Sequence, residues 1–270
     1  MEADKAVENI IEVENLVVSY DERVVLDGVN LQVRRGENMV ILGGSGCGKS
    51  TLLRHIIGLE RPEAGRIKIR GRDITVMREE EFSEILTKVG VVFQSSALFN
   101  SMTVGDNVAL PLREHTRLED STIKIMTKIK LEMVGLSGFE NHMPSELSGG
   151  MRKRAAFARA ISMDPEILFC DEPSAGLDPI VGAGLDQLII KLKKALRMTI
   201  VVVTHEMESM YTIADRVLML HEGQVMFYGT VDEFKASDQE RVRQFIERRP
   251  EAIQQDESGR YVRALTTDSF

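Results

Sequence analysis

Residues 38–50, NMVILGGSGCGKS, combine a short apolar run with a glycine-rich loop that ends in Lys49 and Ser50. The run 38–42 has the length and composition of a fully buried strand. The eight residues after it fit the pattern G-x-x-x-x-G-K-[ST], and helical periodicity follows from Lys49 to about Gly58. A strand, a glycine-rich loop and a helix in this order predict a phosphate-binding loop. We therefore expect the chain to bind a nucleoside triphosphate.

Each part of this loop has chemistry suited to phosphate. Glycines allow the backbone to curl so that its N–H groups point at phosphate oxygens, and the following helix adds its positive N-terminal end. The Lys49 ammonium would neutralise the β- and γ-phosphates, and the Ser50 hydroxyl would ligate Mg²⁺. The alternative is a chance glycine-rich turn, which the flanking strand and helix disfavour. The predicted nucleotide-binding residues of this segment are Gly43, Gly44, Ser45, Gly46, Cys47, Gly48, Lys49, Ser50 and Thr51.

A second segment, ILFCDEP at 167–173, is an apolar run that ends in two adjacent carboxylates. Consecutive side chains at a strand end point in different directions, so the two acids can take different roles. Asp171 would hold Mg²⁺ through water, and Glu172 would act as general base on the attacking water. The alternative is an ordinary strand end with solvated acids, which is less favoured beside a phosphate-binding loop.

A third segment, LSGGM at 147–151, opens a helix predicted over 151–163. Ser148 is a suitable N-cap, and the two glycines after it would expose backbone N–H groups at a positive helix end, as in an anion site. An ordinary capped helix fits the local pattern equally well. The basic run 152–154 that follows is interpreted as a solvated helix face.

Composition excludes several classes of protein. The chain has 270 residues with 34 Lys+Arg against 42 Asp+Glu, a net charge of -8, and this disfavours broad nucleic-acid binding. No apolar run is longer than four residues, whereas a membrane span needs about twenty. The start, MEADK, does not resemble a signal peptide. Cys47 and Cys170 are too few for a disulfide framework, so a reducing compartment, the cytosol, is expected.

The order of these segments along the chain, with Gln94 between the first and the third, resembles the ATP-binding-cassette (ABC) family of ATPases over roughly residues 10–230. Strands that alternate with helices independently indicate an α/β protein with a largely parallel sheet. The resemblance implies a P-loop NTPase fold with a RecA-like core, an antiparallel β subdomain and a helical subdomain at about 96–163. It also implies an ABC ATPase domain over 1–230, a C-terminal helical extension and tail over 231–270, and ATP with Mg²⁺ as ligands.

The resemblance further implies that the chain works as a pair. In this family two cassettes pair head to tail, and the Ser-Gly-Gly of one binds the γ-phosphate held by the other. Ser148, Gly149 and Gly150 would then act on the ATP of a second copy of this chain. Asp178 matches the loop that crosses the interface between the two cassettes.

Three single residues gain a role only from the resemblance. Gln94 matches the family's sensor of Mg²⁺ and water, His205 the histidine that contacts the γ-phosphate, and Tyr20 the aromatic ring that stacks on adenine. Without that context each is more simply a packed or surface residue. The resulting predicted sets are Glu172, His205, Lys49 and Gln94 for catalysis, and Ser50, Gln94 and Asp171 for the metal.

Met151 stands where glutamine is commonest in the family, which could weaken hydrolysis and also points to a subgroup. FQSSALF at 93–99, NVALPLREHT at 107–116 and MPSELSGGM at 143–151 resemble ATPases that energise phospholipid transport in Gram-negative envelopes. This subgroup implies a multi-span permease contacting the groove near Gln94 and 98–112, an MCE substrate-binding protein and a small STAS-domain protein. It also places the chain in the cytoplasm, peripheral on the cytoplasmic face of the inner membrane.

The C-terminal stretch RVRQFI at 241–246 resembles the start of an extension that, in this subgroup, reaches the neighbouring ATPase. A disordered end is the alternative for the tail. Two other functions stay open from sequence: an ABC ATPase of an importer or exporter for another cargo, such as an amino acid or a metal, and a soluble ABC ATPase without a transport role. A binding-only module is disfavoured because Lys49, Asp171, Glu172 and His205 are all present.

Overall fold

The computed structural model describes residues 8–21 and 23–249. The predicted contact between the C-terminal tail and a neighbouring ATPase therefore concerns residues that lie mostly outside the described part. The elements, in chain order, are β1 (Asn9–Tyr20), β2 (Arg23–Arg34), β3 (Asn38–Gly43), α1 (Lys49–Ile56), β4 (Ala64–Ile69), β5 (Arg72–Asp73), α2 (Glu79–Leu86), β6 (Val89–Val92), α3 (Val104–His115), α4 (Asp120–Met133), α5 (Gly149–Ala160), β7 (Ile167–Asp171), α6 (Pro179–Leu196), β8 (Thr199–Thr204), α7 (Met207–Ile213), β9 (Arg216–His221), β10 (Gln224–Thr230), α8 (Val231–Ala236) and α9 (Glu240–Ile246).

The larger sheet has the strand order β10-β9-β3-β8-β7-β6. All its neighbouring strands are parallel except β9 and β10, which form a hairpin around Glu222. β3 lies between β8 and β9, with Leu42 opposite Thr204, and β7 continues the sheet with Asp171 opposite Val203. Because parallel strands end at the same edge, the phosphate-binding loop and the two acids are brought to one edge of this sheet.

The smaller sheet is antiparallel with the order β2-β1-β4-β5, which confirms the predicted antiparallel β part. β2 is one continuous strand, although its apolar pattern predicts two short runs at 24–26 and 29–33. The pattern breaks at Gly28, which has a φ of 63°, and the opposing strand β1 shifts register near Asn15 with a φ of 48°. The break in the apolar pattern of β2 at Gly28 therefore marks an irregularity in the pairing of β1 with β2 and not a turn.

Alternation along the central strands divides the core into two layers. Val40 and Leu42 of β3 pack into a cluster with residues of α5, α6 and α7. Met39 and Ile41 of the same strand pack on the other side, with residues of α1 and the smaller sheet. Since successive side chains of a strand point to opposite faces, a strand buried on both faces needs an unbroken apolar run, as β3 has.

The helical part between β6 and β7 begins later than the fading β signal at about residue 95 predicts. α3 starts only at Val104, where Thr103 Oγ1 accepts a hydrogen bond from Asp106 N at 3.1 Å. The stretch before α3 is held by the buried Asn107, whose carboxamide accepts from Phe99 N at 2.8 Å and donates to Phe99 O at 3.0 Å. α2 is an addition to the elements predicted from sequence.

None of the helices within residues 8–21 and 23–249 combines the length and the apolar character that a membrane crossing requires.

Candidate functional site

The phosphate-binding loop has a backbone that glycine alone accepts at two positions. Gly43 has a φ of 155°, and a Cβ there would lie 2.4 Å from Leu220 O. Gly48 has a φ of 103° directly before α1, and its Cβ would lie 2.6 Å from Leu26 Cδ2. The loop can therefore curl against β9 and β2 only because both residues lack side chains.

Lys49 lies inside the curl of the loop. Its side chain is buried, and its Nζ donates hydrogen bonds to Gly43 O at 3.0 Å and to Gly44 O at 2.9 Å. A buried ammonium needs such partners because it has lost its hydration. The two carbonyls hold the charge at the centre of the loop, where it can meet the negative charge of a phosphate.

Ser50 and Asp171 form the candidate metal position. Ser50 Oγ donates to Asp171 Oδ1 at 3.4 Å, across from α1 to the end of β7. Burial, and next the charge of Glu172, raise the pKa of Asp171, since the ionised carboxylate is poorly compensated where it lies. Hydroxyl and carboxylate oxygens are ligands that Mg²⁺ prefers, and a bound cation would balance the buried negative charge of Asp171. The donor set therefore fits Mg²⁺.

Glu172 and His205 are joined directly. Glu172 is 8% exposed, and its Oε1 lies 2.9 Å from His205 Nδ1, while Thr204 Oγ1 approaches Oε2 at 3.5 Å. The backbone of Glu172 is left-handed, with a φ of 45°. The structure thus brings together two residues that are far apart in sequence, at the ends of β7 and β8.

Gln94 and Tyr20 lie at strand ends, each with an exposed side chain. Gln94 follows β6 at the same sheet edge as Asp171, and its backbone carbonyl accepts a hydrogen bond from Lys153. Tyr20 is 42% exposed at the end of β1, and its hydroxyl donates to Glu60. Because the Tyr20 side chain is exposed, the alternative in which its ring only packs in the core is disfavoured.

The segment 147–151 and the loop with Asp178 form one surface. Ser148 Oγ accepts from Met151 N at 3.3 Å and so caps α5, and Asp178 Oδ1 accepts from Val181 N at 3.0 Å and caps α6. A Cβ at Gly150 would lie 2.6 Å from Val181 Cγ1, so the two helix starts touch closely. A Cβ at Gly149 would lie 3.2 Å from Leu177 Cδ2, a less severe approach.

This surface is only partly continuous with the phosphate-binding loop of the same chain. Within the described residues, no hydrogen bond joins 147–151 or Asp178 to residues 43–51. A cavity of about 880 Å³ nevertheless has Gly44, Asp178 and His205 in its lining. The cavity therefore connects Gly44 of the loop, the Asp178 segment and His205, while Glu172 and Ser148 lie outside its lining.

Two features of the site have no counterpart in the sequence predictions. Ser174 Oγ donates to Glu206 Oε2 at 3.0 Å and links the residues that follow β7 and β8. Lys153 is 5% exposed, so the interpretation of 152–154 as a solvated face is wrong for this residue and holds only for Arg152. The helical spacing of α5 was the available signal, because Lys153 falls on the same face as Ala156 and Phe157.

The two cysteines are buried within the described residues and form no disulfide there. Burial raises the pKa of both thiols, which favours their protonated form at neutral pH. We therefore interpret Cys47 and Cys170 as small residues that fit their buried positions, without a redox role.

Comparison with known proteins identifies the family. The pattern of the ABC transporter family matches residues 26–175. The chain is 44% identical over 239 residues to "Intermembrane phospholipid transport system ATP-binding protein MlaF" of Haemophilus influenzae, covering 88% of this chain and 90% of that protein. It is 45% identical over 236 residues to "Probable ribonucleotide transport ATP-binding protein mkl" of Mycobacterium leprae, covering 87% of this chain and 68% of that protein.

Solved structures agree with the sequence relatives. The dimeric post-hydrolysis state of the ATP-binding cassette MJ0796, bound to ADP and Pi, matches with a TM-score of 0.76 and 33% identity over 82% of this chain and 98% of that chain. The cbiO1 cassette of Clostridium perfringens matches with a TM-score of 0.78 and 31% identity over 90% of this chain and 96% of that chain. The predicted fold class is thereby confirmed. The chain belongs to the ABC transporter family and is an ATPase, coupled to transport, that binds ATP.

Proposed function

We propose that this chain is the ATP-hydrolysing subunit of a transporter that moves phospholipid between the membranes of a Gram-negative-type envelope. The observation that carries the proposal is the match to MlaF, which extends over nearly the full length of that relative. The segments 107–116 and 143–151 support it, because they carry the subgroup resemblance. A transporter of ribonucleotides is the second candidate, favoured by the name of the Mycobacterium leprae relative and its similar identity.

In this proposal the triphosphate of ATP lies in the curl of residues 43–51. The Lys49 ammonium would exchange its bonds to the Gly43 and Gly44 carbonyls for bonds to phosphate oxygens. Ser50, Asp171 and Gln94 would hold Mg²⁺, which when bound neutralises phosphate charge and orients the transferred group. The exposed Tyr20 ring would stack on the adenine.

Glu172 would take the proton of the attacking water. Its Oε1 is occupied by His205 Nδ1 at 2.9 Å, whereas Oε2 has only the long contact of 3.5 Å from Thr204, so Oε2 is the oxygen able to accept a proton. His205 would fix the carboxylate and, with its half-exposed ring, contact the γ-phosphate. Asp171 is less suited to this role because it already accepts from Ser50.

The working unit in this proposal is a pair of chains. The surface of Ser148, Gly149, Gly150 and Asp178 would face the ATP held by the partner chain, and the similar MJ0796 cassette is itself dimeric. The pair would contact a multi-span permease through the groove near Gln94 and 98–112. An MCE substrate-binding protein and a small STAS-domain protein would complete the assembly, which would lie on the cytoplasmic face of the inner membrane.

Turnover of ATP by the Glu172→Gln variant tests the catalytic assignment. We expect a loss of about 10²–10⁴-fold in kcat, the usual contribution of a general base, with ATP still bound. Glu208→Gln is the matched control, because Glu208 is an exposed acid of α7 nearby. A Glu172→Gln variant with the turnover of the unmodified chain would remove Glu172 from the mechanism.

Purification of the tagged chain from gently solubilised native membranes tests the cargo. Mass spectrometry should identify a multi-span permease and an MCE protein, and phospholipid should copurify. Enrichment of ribonucleotides and a different binding protein would favour the second candidate. Recovery of the chain from the cytosol alone would replace transport with a soluble ATPase function.

A further inference from the structure

Lys153 occupies an unusual position for a lysine. It lies on α5, its exposed fraction is 5%, and its Nζ donates to Gln94 O at 2.6 Å and to Glu172 O at 3.2 Å. One amine therefore joins three segments: the helix that begins after Ser148, the residue that follows β6, and the end of β7.

A lysine at this place is costly. Removing an ammonium from water is unfavourable unless it finds partners, and burial lowers the pKa of Lys153 while the nearby charges of Asp171 and Glu172 oppose that change. An aliphatic side chain of similar length would fill the space without this cost. The position is therefore better explained by what the amine holds than by packing.

What the amine holds is a strained piece of backbone. Glu172 has a left-handed φ of 45°, which a non-glycine residue keeps only where its surroundings impose it. Its N–H donates to Val203 O at 2.9 Å, and its carbonyl accepts from Ala175 N at 3.2 Å and from Lys153. Lys153 thus fixes the carbonyl side of the residue whose carboxylate meets His205.

We propose that Lys153 is a positioning residue for ATP hydrolysis, which holds Glu172 and Gln94 in register with the helix that opens at Ser148. The proposal rests on the proposed role of Glu172 as general base. Lys153 does not touch the nucleotide in this arrangement; it acts through the backbone of Glu172, which would meet the attacking water, and of Gln94, which would help to hold Mg²⁺. A shift of about 1 Å in such a group can lower the rate about 10²-fold, so a small loosening is enough to be measured.

The first test compares Lys153→Met, Lys153→Arg and Arg154→Met in steady-state ATP hydrolysis. We expect Lys153→Met to lower kcat by about 10- to 100-fold with KM for ATP within about threefold of the unmodified chain, since ground-state binding is retained. Lys153→Arg keeps a charged donor and should recover most of the loss. Arg154→Met is the matched control, because Arg154 also donates to a carbonyl, Val134 O at 3.0 Å, on the same helix.

A double-variant cycle with Glu172→Gln distinguishes positioning from general structural damage. If Lys153 acts through Glu172, then adding Lys153→Met to Glu172→Gln should cause little further loss in single-turnover rate. Independent effects would multiply. Should Lys153→Met fail to fold, Lys153→Gln, whose shorter amide cannot reach both carbonyls, is expected to lower kcat with an unchanged unfolding temperature.

Three results would overturn the proposal: a kcat of Lys153→Met within twofold of the unmodified chain, a loss confined to KM, or multiplied losses in the cycle. The failure of the two proposals can be told apart. Full activity of Glu172→Gln would remove the general base itself. An inactive Glu172→Gln together with a fully active Lys153→Met would remove only the role of Lys153.

Discussion

Asp186 is a buried carboxyl group of α6 that the predicted chemistry of the site does not use. Ser209 Oγ of α7 donates to its Oδ1 at 2.5 Å. Burial raises the pKa of Asp186, the Ser209 hydrogen bond opposes this, and the charge of Glu206 adds to the increase. The carboxyl therefore takes up a proton more readily in the folded chain than in the unfolded chain.

This direction fixes how stability depends on pH. Above the folded-state pKa of Asp186 both states are ionised and the buried charge lowers the free energy of unfolding; the penalty disappears as pH falls through that pKa towards the unfolded value. Asp186→Asn removes the charge and keeps the Oδ1 acceptor. At pH 8 we expect an unfolding temperature higher by about 2–4 °C, the shift that 1 kcal/mol produces in a chain of this size. Thermal unfolding from pH 4 to 8 measures it.

Glu208, on the same helix as Ser209, provides the control for the Asp186 variant. Glu208→Gln changes an exposed acid of α7 and should give no shift that depends on pH. An Asp186→Asn variant that is less stable at pH 8, or a gain that is largest at pH 4, would show that the charge of Asp186 stabilises the fold.

At the same scale, the glycines and Lys49 of the phosphate-binding loop could be predicted because their chemistry is local: spacing alone determines what the curl can bind. The partners of Lys153 could not be predicted in the same way. Helical spacing places Lys153 on the apolar face of α5 with Ala156 and Phe157, but which backbone carbonyls its amine meets depends on how α5 packs against β6 and β7. Only tertiary structure supplies that packing.

Among the elements, the strands buried on both faces were predictable because they require unbroken apolar runs. β3 and β7 lie where the apolar runs in 38–42 and 167–173 place them, and β8 is likewise buried along its whole length. β2 was divided wrongly because Gly28 interrupts its alternation, and α3 starts late because Asn107 holds the preceding turns in place of a helix. Both differences come from side-chain and register effects that a periodic pattern does not contain.

Gly90 of β6 permits the close packing of α5 on the central sheet. A Cβ there would lie 2.3 Å from Ala160 O, a backbone atom at the end of α5 that cannot move aside by itself. Gly90→Ala would push α5 away from the strand, and we expect a loss of about 1–3 kcal/mol in the free energy of unfolding, as for overpacked cores. Denaturant unfolding measures this loss.

Gly182→Ala provides the comparison for Gly90. A Cβ at Gly182 of α6 would make an ordinary contact of 3.6 Å with Ser174 Cβ. Alanine also favours a helix over glycine by about 1 kcal/mol, so this variant should be as stable as the unmodified chain or more so. A Gly90→Ala variant with unchanged stability would mean that α5 can shift freely on β6.

For the whole molecule, one chain holds only half of the proposed nucleotide site. The loop of 43–51 and the surface around Ser148 share no hydrogen bond within the described residues, and the proposal assigns that surface to the nucleotide of the partner chain. The pairing was therefore an expectation from the family and not from the chain's own geometry. Cargo and permease are likewise properties of other chains.

If two chains pair around ATP as proposed, dimer formation should require both ATP and an unobstructed surface at Ser148. With Glu172→Gln slowing hydrolysis, ATP should convert the chain from monomer to dimer, as light scattering after size exclusion would show. Adding Ser148→Arg should leave a monomer that still binds ATP, because the large side chain blocks the surface while the Lys49 loop is unchanged. Ser145→Arg, an exposed position just before α5, should not interfere. A dimer of undiminished affinity with Arg at 148 would place the partner's contact elsewhere and separate the Ser-Gly-Gly surface from ATP binding.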